Sequence, residues 1–540
     1  MQNTKKLLSI TNLKKYFPIA KSSIFQREQL YNRANDGITL DIYEGETLGI
    51  VGESGCGKST LGRVLLQLYT QTAGTTLYYG KTITEISPKY VFDTLNHFDK
   101  YEHALQKASK KVEEKQKKAD EEGGEDKAEF FVLQDLTLAQ AEEQTCLSNI
   151  VKVVGGFHAY DPDRKGISAL KELYSAYRPR NKKAAELNDV ELEIGFVKSA
   201  ASKEGAKANL STKLQKFEAK KAKLQEELQA LEEKVEQAEK KVADIRAEYA
   251  QNEEFAKYEA MRDNGVDLAR LKYSEMRLLR KDLQIIFQDP YSSLNPRFTI
   301  GQIIEEGLLT HKFFKQGNSD MRDYIVHVME ECGLQEYMLH RYPHQFSGGQ
   351  RQRISIARAL AVQPKFVVCD ECVSALDVSI QSQIINLLQQ LREKENLTYM
   401  FISHDLSVVR YISDRICVMY LGNVVELSDA KTIFEDPRHP YTVALLSSIP
   451  TTDIESLSKE RIILEGNIPS PIRPPHGCKF HTRCFMACEK CSRVAPPLRE
   501  IEPNHFVACH FPEKKMDENG NYLFDVSKTE TERKSTRAVD

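Results

Sequence analysis

The chain has 540 residues, 41% hydrophobic and 28% charged, which supplies a sizeable core and excludes wholesale disorder. With 75 Lys and Arg against 78 Asp and Glu the net charge is −3, arguing against a dedicated nucleic-acid-coating surface. There is no run of 18 apolar residues and no apolar signal core after Met1, and eleven cysteines are too few for a disulfide scaffold, so the expectation is a soluble intracellular protein of two to four domains.

The first chemistry-bearing element is the apolar run Thr47–Val51, a buried parallel strand by its composition. GESGCGKST follows from Gly52 to Thr60 and matches GxxxxGK[ST], with a helical pattern after it. That is the context a phosphate-binding loop requires. Glycines let backbone N–H groups curl around phosphate oxygens, and the helix N-terminus adds partial positive charge. Gly52, Ser54, Gly55, Gly57 and Thr60 would form the cradle. Lys58 would reach the β- and γ-phosphates, and Ser59 would ligate Mg²⁺. Cys56 needs no role beyond its backbone.

From about residue 86 to 275 the sequence turns Lys/Glu-rich, with 12 Lys and Arg and 13 Asp and Glu between 201 and 260. A 4-3 apolar spacing runs from Leu210 through Leu214, Phe217, Leu224, Leu228, Leu231 and Val235 to Tyr249, broken only by Lys221. This is a coiled-coil seam about 60 Å long if helical throughout. Its expected partner is the stretch around Leu105, Ala108 and Val112, folding back as a hairpin. The segment reads either as a solvated spacer or as a docking arm.

Apolar strands then alternate with helical patterns to about Glu435, as in a βαβ architecture. Three strands end on polar residues: Leu283–Phe287 on Gln288, Phe366–Cys369 on Asp370 and Glu371, and Tyr399–Ser403 on His404. Ligands sit beyond the carboxyl ends of strands in open α/β sheets, so these ends and the glycine loop form one constellation. Asp370 would hold Mg²⁺, and Glu371 would act as general base toward an attacking water. Between them in the chain, Ser347-Gly348-Gly349-Gln350 opens a helix with free backbone donors, a second anion-seeking terminus.

Near the end, Cys478, Cys484, Cys491 and Cys509 are spaced C-x5-C-x6-C-x17-C, with Cys488 extra. In a reducing compartment four such thiols suit a metal better than disulfides. Zinc could use the Cys488-x2-Cys491 pair with His481, His505 and His510; unmetallated thiols are another reading. Residues 513–540 are polar and read as a disordered tail.

In order, these motifs resemble those of the ATP-binding-cassette ATPases: Walker A (Gly52–Thr60), Q-loop (Gln288), signature (Ser347–Gln350), Walker B (Phe366–Asp370), D-loop (Ser374–Asp377) and H-loop (His404). IIFQDPYSSLNPR, YPHQFSGGQRQRISIARAL, HPYTVALLSSIP and IPSPIRPPHGCKFHTRC resemble more narrowly the ATPase subunits of oligopeptide and dipeptide importers. The resemblance implies an α/β nucleotide-binding domain with a RecA-like core and a helical signature subdomain. On this reading the domain covers 1–87 and 272–435. The helical insertion covers 88–271, and a Cys-bearing C-terminal region covers 436–512. It further implies ATP and Mg²⁺ as ligands, Phe17 stacked on adenine with Tyr16 as fallback, and Gln288 sensing Mg²⁺. His404 would touch the γ-phosphate and Asp377 would bridge two sites. The Cys quartet would ligate a [4Fe–4S] cluster. A partner cassette, two permeases and an external peptide-binding protein would complete the assembly, with this chain peripheral on the cytoplasmic face of the membrane. The alternatives are a coiled-coil ATPase acting on DNA, though its coil would follow Gln288, and a soluble non-transport cassette. Two departures stand out. Lys58 and Gln288 lie 230 residues apart, where the family needs several tens. Cys372 follows Glu371 where proline is usual.

Overall fold

Ile38, Leu40 and Ile42 alternate with more exposed neighbours, the period-two pattern of a half-buried strand. In the computed structural model, which describes residues 5–21, 29–121, 130–202, 207–448 and 462–512, they lie on β2 (Tyr31–Tyr43). It pairs antiparallel with β1 (Lys6–Pro18), Ile10 opposite Leu40 and Phe17 opposite Asn32. β3 (Thr47–Val51) is buried at every residue and runs into the helix Lys58–Leu65. Along β4 (Ala73–Thr82) the chain passes from one structural unit to another. The first unit holds residues 1–76, 116–136 and 277–540; the second holds 77–115 and 137–276. The second unit thus begins inside a strand at Leu77, whereas the sequence places the insertion from residue 88. Residues 116–136 also belong to the first unit. There the Gln134 amide donates to Gln29 O at 3.2 Å, and Arg33 lies over Phe130 at 5.1 Å.

In the second unit the later half of β4 pairs antiparallel with β5 (Gly265–Asp267), Leu77 opposite Asp267. The largest feature is a hairpin of two long helices, Lys165–Ser202 and Lys207–Tyr249. Forty-three residues make the second helix, about 65 Å at 1.5 Å per residue. Leu224, Val235, Ala238, Val242 and Tyr249 are buried along the sequence-read seam; the Leu210 side chain lies outside the described residues. The seam's partner is not the Leu105 stretch but the helix Lys165–Ser202. Val190 and Ile194 pack there against Leu224, with Leu187, Leu214 and Phe217 around them. Ion pairs fix the antiparallel register: Lys183–Glu227 at 2.8 Å, Glu191–Lys221 at 2.7 Å and Lys198–Glu218 at 3.7 Å. Lys221, the seam's one polar break, therefore has a partner. Such exposed pairs contribute little stability each; they select the alignment, while the apolar seam supplies most of the energy.

The first unit resumes with β6 (Leu283–Ile286), β7 (Phe366–Asp370), β8 (Thr398–Ile402), β9 (Arg415–Tyr420), β10 (Asn423–Asp429), β11 (Arg499–Glu502) and β12 (His505–Val507). They join β3 in one sheet of order β11-β12-β10-β9-β3-β8-β7-β6. β6, β7, β8, β3 and β9 are mutually parallel, while β10, β12 and β11 extend the edge antiparallel. Phe366–Cys369 and Tyr399–Ile402 are completely buried, as continuous apolar runs in a covered parallel sheet should be. Helices Ile300–Thr310, Ser319–Glu331 and Gly348–Leu360 bring Ile304, Met329 and Ile354 into the same core. The architecture is the expected α/β nucleotide-binding fold with a helical subdomain. The C-terminal region adds to this sheet, Glu426 and Leu427 of β10 pairing with Val507 and Phe506 of β12. The expected tail, 513–540, lies outside the described residues.

Candidate functional site

The carboxyl ends of β3, β6, β7 and β8 carry the residues singled out from sequence. After β3 the loop turns through Gly52, Gly55 and Gly57 at φ +146°, +80° and +100°. At Gly57 a Cβ would lie 2.0 Å from Ala34 O, so glycine is required both for φ and for space. Lys58 is buried, and its ammonium donates to Gly52 O at 2.7 Å and Glu53 O at 3.1 Å. Its charge is thereby held over the mouth of the loop. Ser59 Oγ donates to Asp370 Oδ1 at 2.5 Å, and Arg63 reaches Asp370 Oδ2 at 3.4 Å. A hydroxyl and a buried carboxylate side by side are hard oxygen donors of the kind Mg²⁺ takes.

One residue on, Glu371 has φ +48°, a left-handed conformation that costs a non-glycine residue about 1 kcal/mol or more. The turn is held by Glu371 N–H donating to Ile402 O at 3.0 Å and by Ser374 Oγ donating to Glu371 O at 2.9 Å. It therefore forms without the usual proline. Cys372 fills that place, buried against the Cys369 thiol. Gln288 Nε2 donates to Glu371 Oε2 at 2.8 Å, and His404 Nδ1 lies 3.6 Å from the same oxygen. Three strand ends, up to 116 residues apart in sequence, thus meet on one carboxylate oxygen.

Ser347 caps the helix Gly348–Leu360 in a reciprocal box: Ser347 N–H donates to Gln350 Oε1 at 3.1 Å, and Gln350 N–H to Ser347 Oγ at 3.4 Å. Ser347 and Gly348 are exposed, and first-turn N–H groups have no partner within a helix, so this terminus presents donors outward. Gly349 packs under Ile380, where a Cβ would meet Cγ2 at 2.5 Å. Asp377 is exposed at the start of the helix Val378–Glu395 and makes no side-chain cap. Phe17 is half-buried, edge-on to Tyr69 at 5.4 Å with Lys15 over its ring at 4.6 Å. Tyr16 cannot serve as its fallback, since it is buried with its hydroxyl bonded to Asp36.

Cys478, Cys484, Cys491 and Cys509 line one small pocket together with His481 and His510. Among the described residues, however, no group of three or more His, Cys, Asp or Glu side chains is arranged to hold a metal ion. Burial raises the Cys478 thiol to about 11 and raises Cys491 as well, so a metal would have to displace protons from both to bind there. The expected cluster site is thus a thiol-lined pocket, not a preformed ligand shell. Sequence reasoning missed two residues at the phosphate loop. Arg483 grips both Glu53 carboxylate oxygens, at 2.7 and 2.9 Å, and Tyr441 Oη accepts from Glu53 N–H at 2.8 Å. Their only sequence signal was position inside HPYT and HTRC.

Known families and proteins match large parts of this chain. The family model described as ABC transporter matches residues 35–160 and 258–374, and that described as oligopeptide/dipeptide transporter, C-terminal region, matches 425–491. The oligopeptide transport ATP-binding protein AppF of Bacillus subtilis is 51% identical over 248 residues, 46% of this chain and 75% of that one. OppF of Salmonella typhimurium, of the same description, is 51% identical over 246 residues, 45% of this chain and 73% of that one. A solved dimer of the cassette MJ0796 bound to ADP and Pi overlaps at TM-score 0.39 and 16% identity, covering 78% of this chain and 99% of that one; family membership rests on the relatives, not on that overlap. The chain belongs to the ABC transporter ATPases, within the group of oligopeptide and peptide-import ATP-binding proteins.

Proposed function

We propose that this chain hydrolyses ATP to power the import of oligopeptides or dipeptides through separate membrane permeases. The observation that carries the reading is the meeting of Ser59 with Asp370, and of Gln288 and His404 with Glu371, beside the phosphate loop. The loop amides and Lys58 hold the triphosphate, and Phe17 offers its ring to the base. Glu371 takes a proton from a water that attacks the γ-phosphorus in line; the bond to the bridging β-oxygen breaks, giving ADP and phosphate. Gln288 orients that carboxylate through its amide, and His404 stands within reach of the transferred group. Ser59 and Asp370, with Gln288 beside them, would hold Mg²⁺, which neutralises charge on the β- and γ-oxygens when bound.

The outward-facing signature terminus fits a second cassette: Ser347–Gln350 of each would close on the other's nucleotide, with Asp377 bridging the two sites. Among the described residues no helix is long and apolar enough to cross a membrane, so transport needs permease subunits, with this chain peripheral to them. An external peptide-binding protein would supply the cargo. Purification with candidate permeases and a partner cassette into vesicles tests the reading. ATP-dependent peptide uptake that disappears with Lys58→Ala is expected, and uptake indifferent to that change would overturn it. For the thiol pocket, a structural [4Fe–4S] cluster, or zinc in its place, is supported only by four thiols sharing one cavity.

A further inference from the structure

Glu53 is an awkward residue for a phosphate loop. Its carbonyl accepts from Lys58 Nζ at 3.1 Å, so it stands directly beside the triphosphate site, yet it carries a negative charge. An uncompensated carboxylate there would repel ATP through a partly desolvated path, where charges interact more strongly than in water. The chain answers this from 430 residues away. The Arg483 guanidinium closes on both Glu53 oxygens, Nη1 to Oε2 at 2.7 Å and Nη2 to Oε1 at 2.9 Å, the bidentate form with the strongest directional preference. Arg483 is only 6% exposed and Glu53 24%, so the pair is poorly screened. Tyr441 fixes the same residue from its backbone, its Oη accepting from Glu53 N–H. The segment carrying Arg483 is itself pinned: Lys479 Nζ donates to Asp36 Oδ2 at 2.8 Å and Leu421 O at 3.1 Å, and Cys478 N–H donates to Cys491 O at 2.7 Å.

We infer that Arg483 is a positioning residue of the ATP site, cancelling the charge of Glu53 and holding the shoulder of the phosphate loop in its nucleotide-accepting shape. The C-terminal region is then a working part of the nucleotide site rather than a cap on the sheet. This rests on the reading of Gly52–Thr60 as the ATP loop. The test is Mg-ATP binding by calorimetry on the full chain, with thermal melts run in parallel. Four proteins are compared: the unaltered chain, Arg483→Ala, Glu53→Gln, and the two changes together. Arg483→Ala should weaken binding roughly tenfold to a hundredfold, the scale of losing a hydrogen-bonded charge partner. Adding Glu53→Gln should return most of that loss, because the unpaired charge is gone; a purely structural role for Arg483 would not be rescued this way. Should Arg483→Ala fail to fold, Arg483→Lys with and without Glu53→Gln makes the same comparison, with a smaller loss that Glu53→Gln again relieves. Unchanged binding in the arginine variants, or equal weakness in the single and double variants, overturns the inference. Failure of the unaltered chain to bind Mg-ATP would instead overturn the reading of the loop.

Discussion

Replacing Glu371 by Gln isolates proton transfer from everything else at the site. The side chain keeps its length and one oxygen, so the acceptor for Gln288 Nε2, now at 2.8 Å, survives. The φ of +48° is held by Glu371 N–H to Ile402 O and by Ser374, none of which involves the carboxylate. Lys58, Ser59 and Asp370 do not touch residue 371 through any of their bonds described above, so ATP affinity should be preserved. What disappears is the base. Loss of general-base catalysis slows such steps about 10²–10⁴-fold, or about 2.7–5.5 kcal/mol of transition-state stabilisation. Phosphate release at saturating ATP, measured beside equilibrium ATP binding, separates the two effects. Near-normal turnover with normal binding would refute Glu371 as the base. A loss of binding as large as the loss of turnover would refute the claim that the bonds holding this turn are independent of the carboxylate.

Gly57→Ala should abolish nucleotide binding and cost about 1–3 kcal/mol of stability, since the added Cβ meets Ala34 O at φ +100°; calorimetry and denaturant melts read both. Leu224→Ala removes a seam residue from between Val190 and Ile194 and should destabilise the helical hairpin by about 2–4 kcal/mol, seen as faster amide exchange over 165–249. Burial pushes His439 down to about 4 from 6.5; its Nδ1 accepts from Tyr441 N–H, and Glu426 is the charge facing it. The folded state therefore binds this proton less readily than the unfolded one. Its contribution is complete above about pH 6.5 and falls by about 1.4 kcal/mol per unit as pH drops toward 4. Denaturant midpoints across that range should flatten in His439→Gln. Iron, sulfide and zinc analysis after anaerobic purification decides the thiol pocket: protein free of all three leaves Cys478, Cys484, Cys491 and Cys509 as buried thiols.

The parts of this molecule legible in its sequence are those whose signal is local. A strand, a glycine turn and a helix are contiguous in Thr47–Leu65, so their joint meaning needs no tertiary information. Gln288, Glu371 and His404 are distant from one another, but each sits at the end of an apolar run, and the strand-end rule converts that local fact into a shared location. The hairpin seam is legible for the same reason, one helix carrying a 4-3 pattern with a single break at Lys221. Its partner is not, because the helix Lys165–Ser202 has Pro179 within it and little apolar periodicity of its own; Val190 and Ile194 acquire their role only by facing Leu224.

Arg483 marks the limit of such reading more sharply. Phe480, Phe485 and Met486 flank it in sequence but do not say which charge it meets, and that partner lies 430 residues earlier. What places it is tertiary contact: Lys479 bonds Asp36 and the Leu421 carbonyl, and Phe480 packs on the rings of Tyr420 and Tyr441, so the turn His481–Arg483 is carried back to the end of β9, beside the strand that feeds the phosphate loop. If Arg483 cancels the charge of Glu53 as inferred above, that charge depends on the return of the C-terminal segment. If a relative lacked the C-terminal region, the same reasoning requires a neutral residue at the position of Glu53, or a cation from another element. A relative with neither that still bound ATP tightly would show that the carboxylate needs no counter-charge, and would remove the electrostatic basis for the clamp.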